Sequence, residues 1–282
     1  MKVAIFGADG QLGRALTHTL DTQYELVLFT HSLVDIADRE TVRVTLAACR
    51  PSVVINAAAM TDVNFCERDP AAAHRVNALG ARWLAEGSKA LGALLLHVST
   101  DYVFSGRDHG CYHEWDETSP LQEYGRSKLA GEHEVRSVAT RFAIIRTSWL
   151  YGGQQRGFVP SILDRGRQGL PLRVVSNQRG SPSYTRDVAE GIGSLLAIGV
   201  EGTVHLSNTG CVSRYGLAKE ICRQAGIPAS IEALDSVEST SPAQRPSNTS
   251  IISHVTPSLG IHMRPWKEAL ADFLEEEAKR GN

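Results

Sequence analysis

Lys2–Gly13 reads KVAIFGADGQLG, a short apolar and β-branched run that stops at a glycine, followed by two more glycines three residues apart. Leu12, Leu16 and Leu20 continue at helical spacing, so the stretch reads as strand, glycine turn and helix. Gly7, Gly10 and Gly13 let the backbone turn tightly, approach a pyrophosphate and pack the helix on the strand, while the first helical amides are free to meet phosphate oxygens. The spacing is Gly-x-x-Gly-x-x-Gly rather than the Gly-x-Gly-x-x-Gly fingerprint, and similar turns occur in βα units that bind nothing. Its place at the head of an alternating βα pattern favours a dinucleotide site.

Outward from that turn the alternation continues. Tyr24–Phe29 reads as a second strand, followed by Thr30, His31 and Ser32 where an acidic residue would hold the ribose of NAD. No carboxylate stands there and no arginine awaits a 2′-phosphate. His31 and Ser32 offer hydrogen bonds to that phosphate, which favours NADPH over NADH. Asp35 and Ile36 stand where they could flank an adenine, and Asp38 reads as the cap of a helix reaching Cys49. Ser52–Ile55 is a third strand, and the small residues after it, including Ala58 and Ala59, leave room for a cofactor or pack tightly. A long helix is expected from Pro70 to Leu91, with Val76, Leu79, Trp83 and Leu84 on its apolar side. Ala93–Val98 is a fourth strand running into Ser99 and Thr100. These alternate across the strand, so only one faces the crevice at the carboxyl ends; Thr100 is chosen as donor to a substrate carbonyl.

After a polar loop, Ser105–Pro120, comes YGRSKLAGE from Tyr124. On a helix, Tyr124 and Lys128 rise from one face about a turn apart. An ammonium roughly 4 Å from the phenol would favour the phenolate by about 4 kcal/mol at an effective dielectric near 20, or about three pKa units at most. A lone Tyr-x-x-x-Lys is more often a surface tyrosine and a solvated lysine, so the neighbouring strands carry the weight.

The second half continues with strand Phe142–Arg146, ending at Trp149, whose indole offers a flat face to a sugar or base or else packs in the core. Gly152–Gly157 is a glycine-rich loop able to close over a ligand. A helix begins at Phe158, strands follow at Leu172–Val175 and Thr203–Leu206, and helices at Arg214–Ala225 and Trp266–Lys279. Pro228–Pro257, rich in Ser, Thr and Pro, reads as substrate-side loops; within it Arg245 either pairs with a diphosphate or is solvated.

Composition narrows the classes. Hydrophobic residues make up 42%, charged residues 21% and the net charge is −2, an ordinary soluble balance without a nucleic-acid binder's basic excess. No apolar run is long enough to span a bilayer and no secretory leader is expected. The five cysteines are scattered without the spacing of a zinc or redox motif, which fits reduced thiols in the cytoplasm.

The chain resembles an extended short-chain dehydrogenase/reductase, and within that class the dTDP-4-dehydrorhamnose reductase family. FGADGQLG, VDIAD, PSVVINAAAMT, HVSTDYVFSG, EWDETSPLQEYGRSKLAGE, RTSWLYG, SNQRGSPSYTRDVA and QRPSNTSI carry the resemblance, in the family's order along nearly the whole chain. It implies an α/β fold: a Rossmann-type doubly wound parallel sheet over 1–149, with 183–208 returning to it, and a smaller C-terminal lobe for a sugar nucleotide, mainly 150–282. It also implies that Tyr124 donates the proton, that Lys128 binds the nicotinamide ribose and tunes Tyr124, and that Thr100 polarises the keto oxygen. Asp101 and Trp149 would lie against the substrate, and Gly10, Gln11, Leu12, Asp35, Ile36, Ala59, Met60 and Thr61 would line NADPH or NADH. No metal ligand set is expected, and the resemblance admits a homodimer. The family usually has aspartate at Asn64, asparagine at Gly157 and aspartate at Asn177, which touches the identity of the sugar more than the chemistry. The implied activity is reduction of a nucleotide-linked 4-keto-6-deoxy sugar, dTDP-4-dehydrorhamnose first, with other nucleotide keto sugars as the near rival. An epimerase or dehydratase with the same triad, or a non-catalytic subunit resembling the methionine adenosyltransferase β subunit, are the remaining alternatives.

Overall fold

The structure, a computed structural model, describes residues 1–107, 110–153, 157–235 and 241–280. Parts of the loops expected at Ser105–Pro120, Gly152–Gly157 and Pro228–Pro257 therefore lie outside the described residues. The apolar runs of the first half become β1 (Lys2–Phe6), β2 (Glu25–Phe29), β3 (Val53–Asn56) and β4 (Leu94–Thr100), and the run that opens the second half becomes β5 (Phe142–Thr147). Between them lie α1 (Gln11–Leu20), α2 (Arg39–Cys49), α3 (Val63–Arg68), α4 (Pro70–His74), α5 (Gly80–Leu91) and α6 (Glu123–Val138). The second half supplies β6 (Leu150–Tyr151), α7 (Phe158–Arg167), β7 (Leu172–Val175), β8 (Arg179–Gly180), β9 (Ser183–Tyr184), α8 (Thr185–Ile198) and β10 (Gly202–His205). The chain closes with β11 (Val212–Ser213), α9 (Arg214–Gln224), β12 (Ile231–Leu234), α10 (Val255–Ser258) and α11 (Trp266–Arg280).

The main sheet has the order β10-β5-β4-β3-β1-β2 and every pairing in it is parallel. The chain runs outward from β1 to β2 and then crosses to β3 on the other side, so the switch point lies beside β1. Parallel strands need helical crossovers, and these cover both faces. Leu12, Leu16 and Leu20 of α1 meet Ile192, Leu195 and Leu196 of α8 on one face; Val42, Leu46, Leu84 and Val135 fill the other. A second core gathers Val159, Ile162, Leu217, Ile221, Trp266, Leu270 and Phe273. Parallel pairing of β12 with β7 edges it. Leu234 and its neighbours thus form a short strand where only loops were expected; it is an edge strand with little buried surface, so it left no apolar run to read.

The helix expected over Pro70–Leu91 is interrupted by a π turn at Arg75–Leu79. The wider turn shifts the register, so Leu79, expected on the apolar side, is 41% exposed while Asn77, Ala78 and Gly80 are buried. Among the described residues no helix is long and apolar enough to cross a membrane.

Candidate active site

At the carboxyl ends of the strands the glycine turn is built as tightly as its composition suggests. Gly7 has φ +78°, and a side chain there would come within 2.7 Å of the Ala58 backbone. A Cβ on Gly13 would sit 2.0 Å from Gly7 O, so the third glycine is what seats α1 on β1. Gly10 is the N-cap and offers no side-chain hydrogen bond, leaving the first amides of α1 without an internal acceptor. Uncapped amides beside a carboxylate-free β2 end fit a phosphate-bearing dinucleotide. Gln11 donates to Gly152 O at 3.1 Å, joining this turn to the loop after β6. The Leu12 and Ile36 side chains are buried, Ile36 against Gly80. His31, Ser32 and Asp35 are exposed, and Asp35 accepts from Ala37 N.

The Ala58–Thr61 segment is held from the side by Asn77, in the π turn. Its side chain accepts from Met60 N at 2.8 Å and donates to Met60 O at 3.1 Å and to Ser127 Oγ at 2.9 Å. Ser127 in turn donates to Tyr124 O. One buried amide therefore ties the expected cofactor wall to the helix of Tyr124. An asparagine inside a helix, where it competes poorly for helical structure, is the signal that would have found it.

Gln122 caps α6 by accepting from Gly125 N at 2.6 Å, and Gly125 lets the helix approach Tyr102, since a Cβ there would lie 2.1 Å from Tyr102 O. Tyr124 then meets Tyr102 edge-on at 5.9 Å between ring centroids. Thr100 and Ser99 point to opposite faces. Ser99 donates to Glu132 Oε1 at 2.6 Å, within a buried ion pair, while Thr100 hydrogen-bonds the Tyr124 phenol and donates to Asp101 Oδ1 at 3.0 Å. Lys128, 2% exposed, donates to Val98 O at 2.6 Å.

The electrostatics differ from the sequence expectation. Burial pushes the Tyr124 phenol above its ordinary value, Thr100 partly offsets this, and Asp101, Tyr102 and Cys66 add to the rise. The lowering expected from Lys128 does not prevail, because the ammonium is directed at Val98 O and burial itself brings Lys128 down to about 8. Tyr124 is a neutral phenol, the form that can give a proton. Asp101 is pushed up to about 6 by burial, against hydrogen bonds from Thr249, Ser148 and Thr100 and the charge of Arg214.

Trp149 has φ +42°, uncommon for a bulky residue, and rests against Gly180. Its ring is not bare. The Arg214 guanidinium lies 3.5 Å from the indole centroid and 4.8 Å from that of Phe158, and it hydrogen-bonds Tyr102. Arg214 was read only as a helix start. Its signal was electrostatic: a cation at the first position of a helix is disfavoured by the helix dipole, so something other than helix formation holds it there. A cavity of about 320 Å³ beside it is lined by Phe158, Arg165, Arg173, Gln178 and Arg214. Arg245 is near enough to Tyr102 and Arg214 to influence both, and Nη2 donates to Asn64 Oδ1 at 3.2 Å while, among the described residues, Nη1 is buried without a hydrogen-bond partner. Asn64 thus holds this cation without neutralising it. Gly157 caps α7 and Asn177 donates to Asp235 Oδ1.

The chain is similar along its length to known proteins. A family model described as RmlD substrate binding domain matches residues 1–279. The dTDP-4-dehydrorhamnose reductase of Mycolicibacterium smegmatis is 39% identical over 97% of this chain and 85% of its own. The spore coat polysaccharide biosynthesis protein SpsK of Bacillus subtilis is 37% identical over 98% of both chains. A crystal structure of dTDP-4-dehydrorhamnose reductase from Bacillus anthracis in complex with NADP superposes with a TM-score of 0.95, at 35% identity over 98% of this chain and 99% of that one. Sequence and structure together place the chain: it belongs to the RmlD, or dTDP-4-dehydrorhamnose reductase, family.

Proposed function

We propose that the protein is an NADPH-dependent oxidoreductase that reduces the 4-keto group of a dTDP-linked 6-deoxy sugar, dTDP-4-dehydrorhamnose in the first instance. The observation that carries this reading is the contact of the Tyr124 phenol with Thr100, with Lys128 buried one helical turn away and the uncapped glycine turn on the same side of the sheet. Bound at that turn, a reduced nicotinamide dinucleotide supplies the hydride for the keto carbon. Thr100 holds the keto oxygen by a hydrogen bond, and Tyr124, kept protonated by burial, passes its proton to that oxygen as charge develops. Lys128, whose value near 8 lets it exchange protons close to neutrality, offsets the phenolate that remains. Asp101 and the Trp149–Arg214 stack bound the sugar, and Arg214 with Arg245 supplies positive charge for the diphosphate. His31 and Ser32 bear on the 2′-phosphate of NADPH. The reading includes a homodimer in the cytoplasm, which sedimentation and fractionation would check.

The experiment follows the hydrogen. Protein incubated with NADPH deuterated at the transferable position and dTDP-4-dehydrorhamnose should give a product carrying deuterium at C4, with one NADPH consumed per sugar. Net conversion of a sugar without NADPH consumption would replace this reading with an epimerase.

A further inference from the structure

Asn56 and His97 are a polar pair inside an apolar layer, each 1% exposed. Asn56 ends β3 in register with Phe6 of β1 and His97 of β4, so the three side chains stand abreast on the face that carries Val54, Leu95 and the apolar side chains of α2, α5 and α6. The Asn56 side chain accepts from Ala58 N at 3.2 Å and donates from Nδ2 to His97 Nδ1 at 3.0 Å. These roles follow from one another. The Ala58 amide can only donate, so Oδ1 faces it; Nδ2 then faces the imidazole, Nδ1 must accept, and the imidazole proton sits on Nε2. Burial, with the charges of Lys128 and Arg136, pushes His97 well below its ordinary value and keeps it neutral, the state this acceptor needs. Among the described residues Nε2 has no hydrogen-bond partner, a cost that an apolar side chain would avoid, so what recommends a histidine here is Nδ1.

The peptide held in this way lies on the glycine turn. Ala57 N still donates to Phe6 O at 3.0 Å, and beyond it the chain leaves the sheet. A Cβ on Gly7 would lie 2.7 Å from Ala58 N and Cα and 2.8 Å from Ala57 C, so the Ala57–Ala58 peptide is packed directly against Gly7. With Asn77 bonded to Met60 N and O, side-chain amides grip the segment at Ala58 and at Met60, where the sheet has ended. We propose, on the reading of the Gly7 turn and Ala58–Thr61 as the dinucleotide site, that Asn56 and His97 are a positioning pair for the cofactor. The pair fixes the plane of the peptide that closes on the Gly7 turn, and so sets the affinity for NADPH rather than the rate of reduction.

Fluorescence titration of NADPH into the full-length protein tests this with two variants. His97→Asn keeps an acceptor on Cγ where the imidazole has Nδ1, and His97→Leu puts a methyl group there, removing the acceptor of Asn56 Nδ2. Kd for NADPH should rise about tenfold in His97→Leu and stay within about twofold of wild type in His97→Asn, while kcat at saturating NADPH and KM for the sugar nucleotide hardly move in either. The readout is cofactor affinity, so a wrong sugar would fault the reductase reading and leave the comparison of variants standing. Folded His97→Leu that binds NADPH like wild type, or His97→Asn that binds as weakly as His97→Leu, would overturn the proposal. If His97→Leu does not fold, amide exchange in wild type decides: the Ala58 N–H should exchange slowly without cofactor, and fast exchange would overturn the proposal as well.

Discussion

Ser99 and Thr100 are neighbours on one strand, yet the regions they enter are opposites. Ser99 faces a closed cluster: Glu132 accepts from Ser99 and twice from Arg146, at 2.9 and 2.8 Å, and also from Arg136. Burial raises that carboxylate, but the two guanidinium groups and the serine overcome it, leaving it below its usual range. Thr100 faces a cluster where a buried carboxylate, Asp101, has hydroxyl groups rather than a bonded cation, and it rises to about 6. The same burial acts on both sides of the strand. Completed pairing makes one side structural, and incomplete pairing leaves protons to be moved on the other.

The comparison can be broken at several points. The largest effect is expected on the open side: Tyr124→Phe should lower turnover about 10²- to 10⁴-fold, with cofactor affinity measured by fluorescence nearly unchanged. On the closed side, Arg146→Met leaves the buried Glu132 with only Ser99 and the half-exposed Arg136 and should cost about 3 kcal/mol of stability in urea titration, with turnover per folded molecule preserved.

Asp101→Asn should stabilise, and the sign follows from the direction of its shift. A folded value near 6 against about 3.8 unfolded means the protonated form is favoured by folding, so the contribution of Asp101 is whole below about pH 4 and is lost as pH rises through 6. The variant should therefore gain about 3 kcal/mol over wild type near pH 8 and nothing near pH 3, as read by urea midpoints across that range. A constant gain at all pH values would point to packing instead. The smallest effect is expected from Arg245→Met, which removes a cation held by Asn64 without neutralisation: KM for the sugar nucleotide should rise about tenfold with kcat little changed.

What was legible in the sequence was local. The glycine turn, the Asp38 cap and the first five strands depend on neighbours a few residues away, and Asp38 does accept from Glu40 N and Thr41 N. Thr100 against Ser99 could not be settled from one strand, because the choice is made by Glu132 and Tyr124 on a distant helix. The pairing of Tyr124 with Lys128 was legible as helical spacing, but the direction of the lysine's hydrogen bond depends on the Val98 carbonyl, and the phenol's rise depends on burial. Arg214 escaped because its partners Trp149, Tyr102 and Phe158 come from three separate segments. Leu79 was misplaced by a single wide turn that periodicity cannot register.

The most direct measurement is the loss of NADPH absorbance when dTDP-4-dehydrorhamnose is added, followed side by side for wild type and Tyr124→Phe at saturating cofactor. Rapid oxidation by wild type and near-silence from a variant that still binds NADPH is the predicted result. Equal rates from the two proteins, or no oxidation by wild type despite bound cofactor, would contradict the assignment of Tyr124 as the proton donor of a reductase.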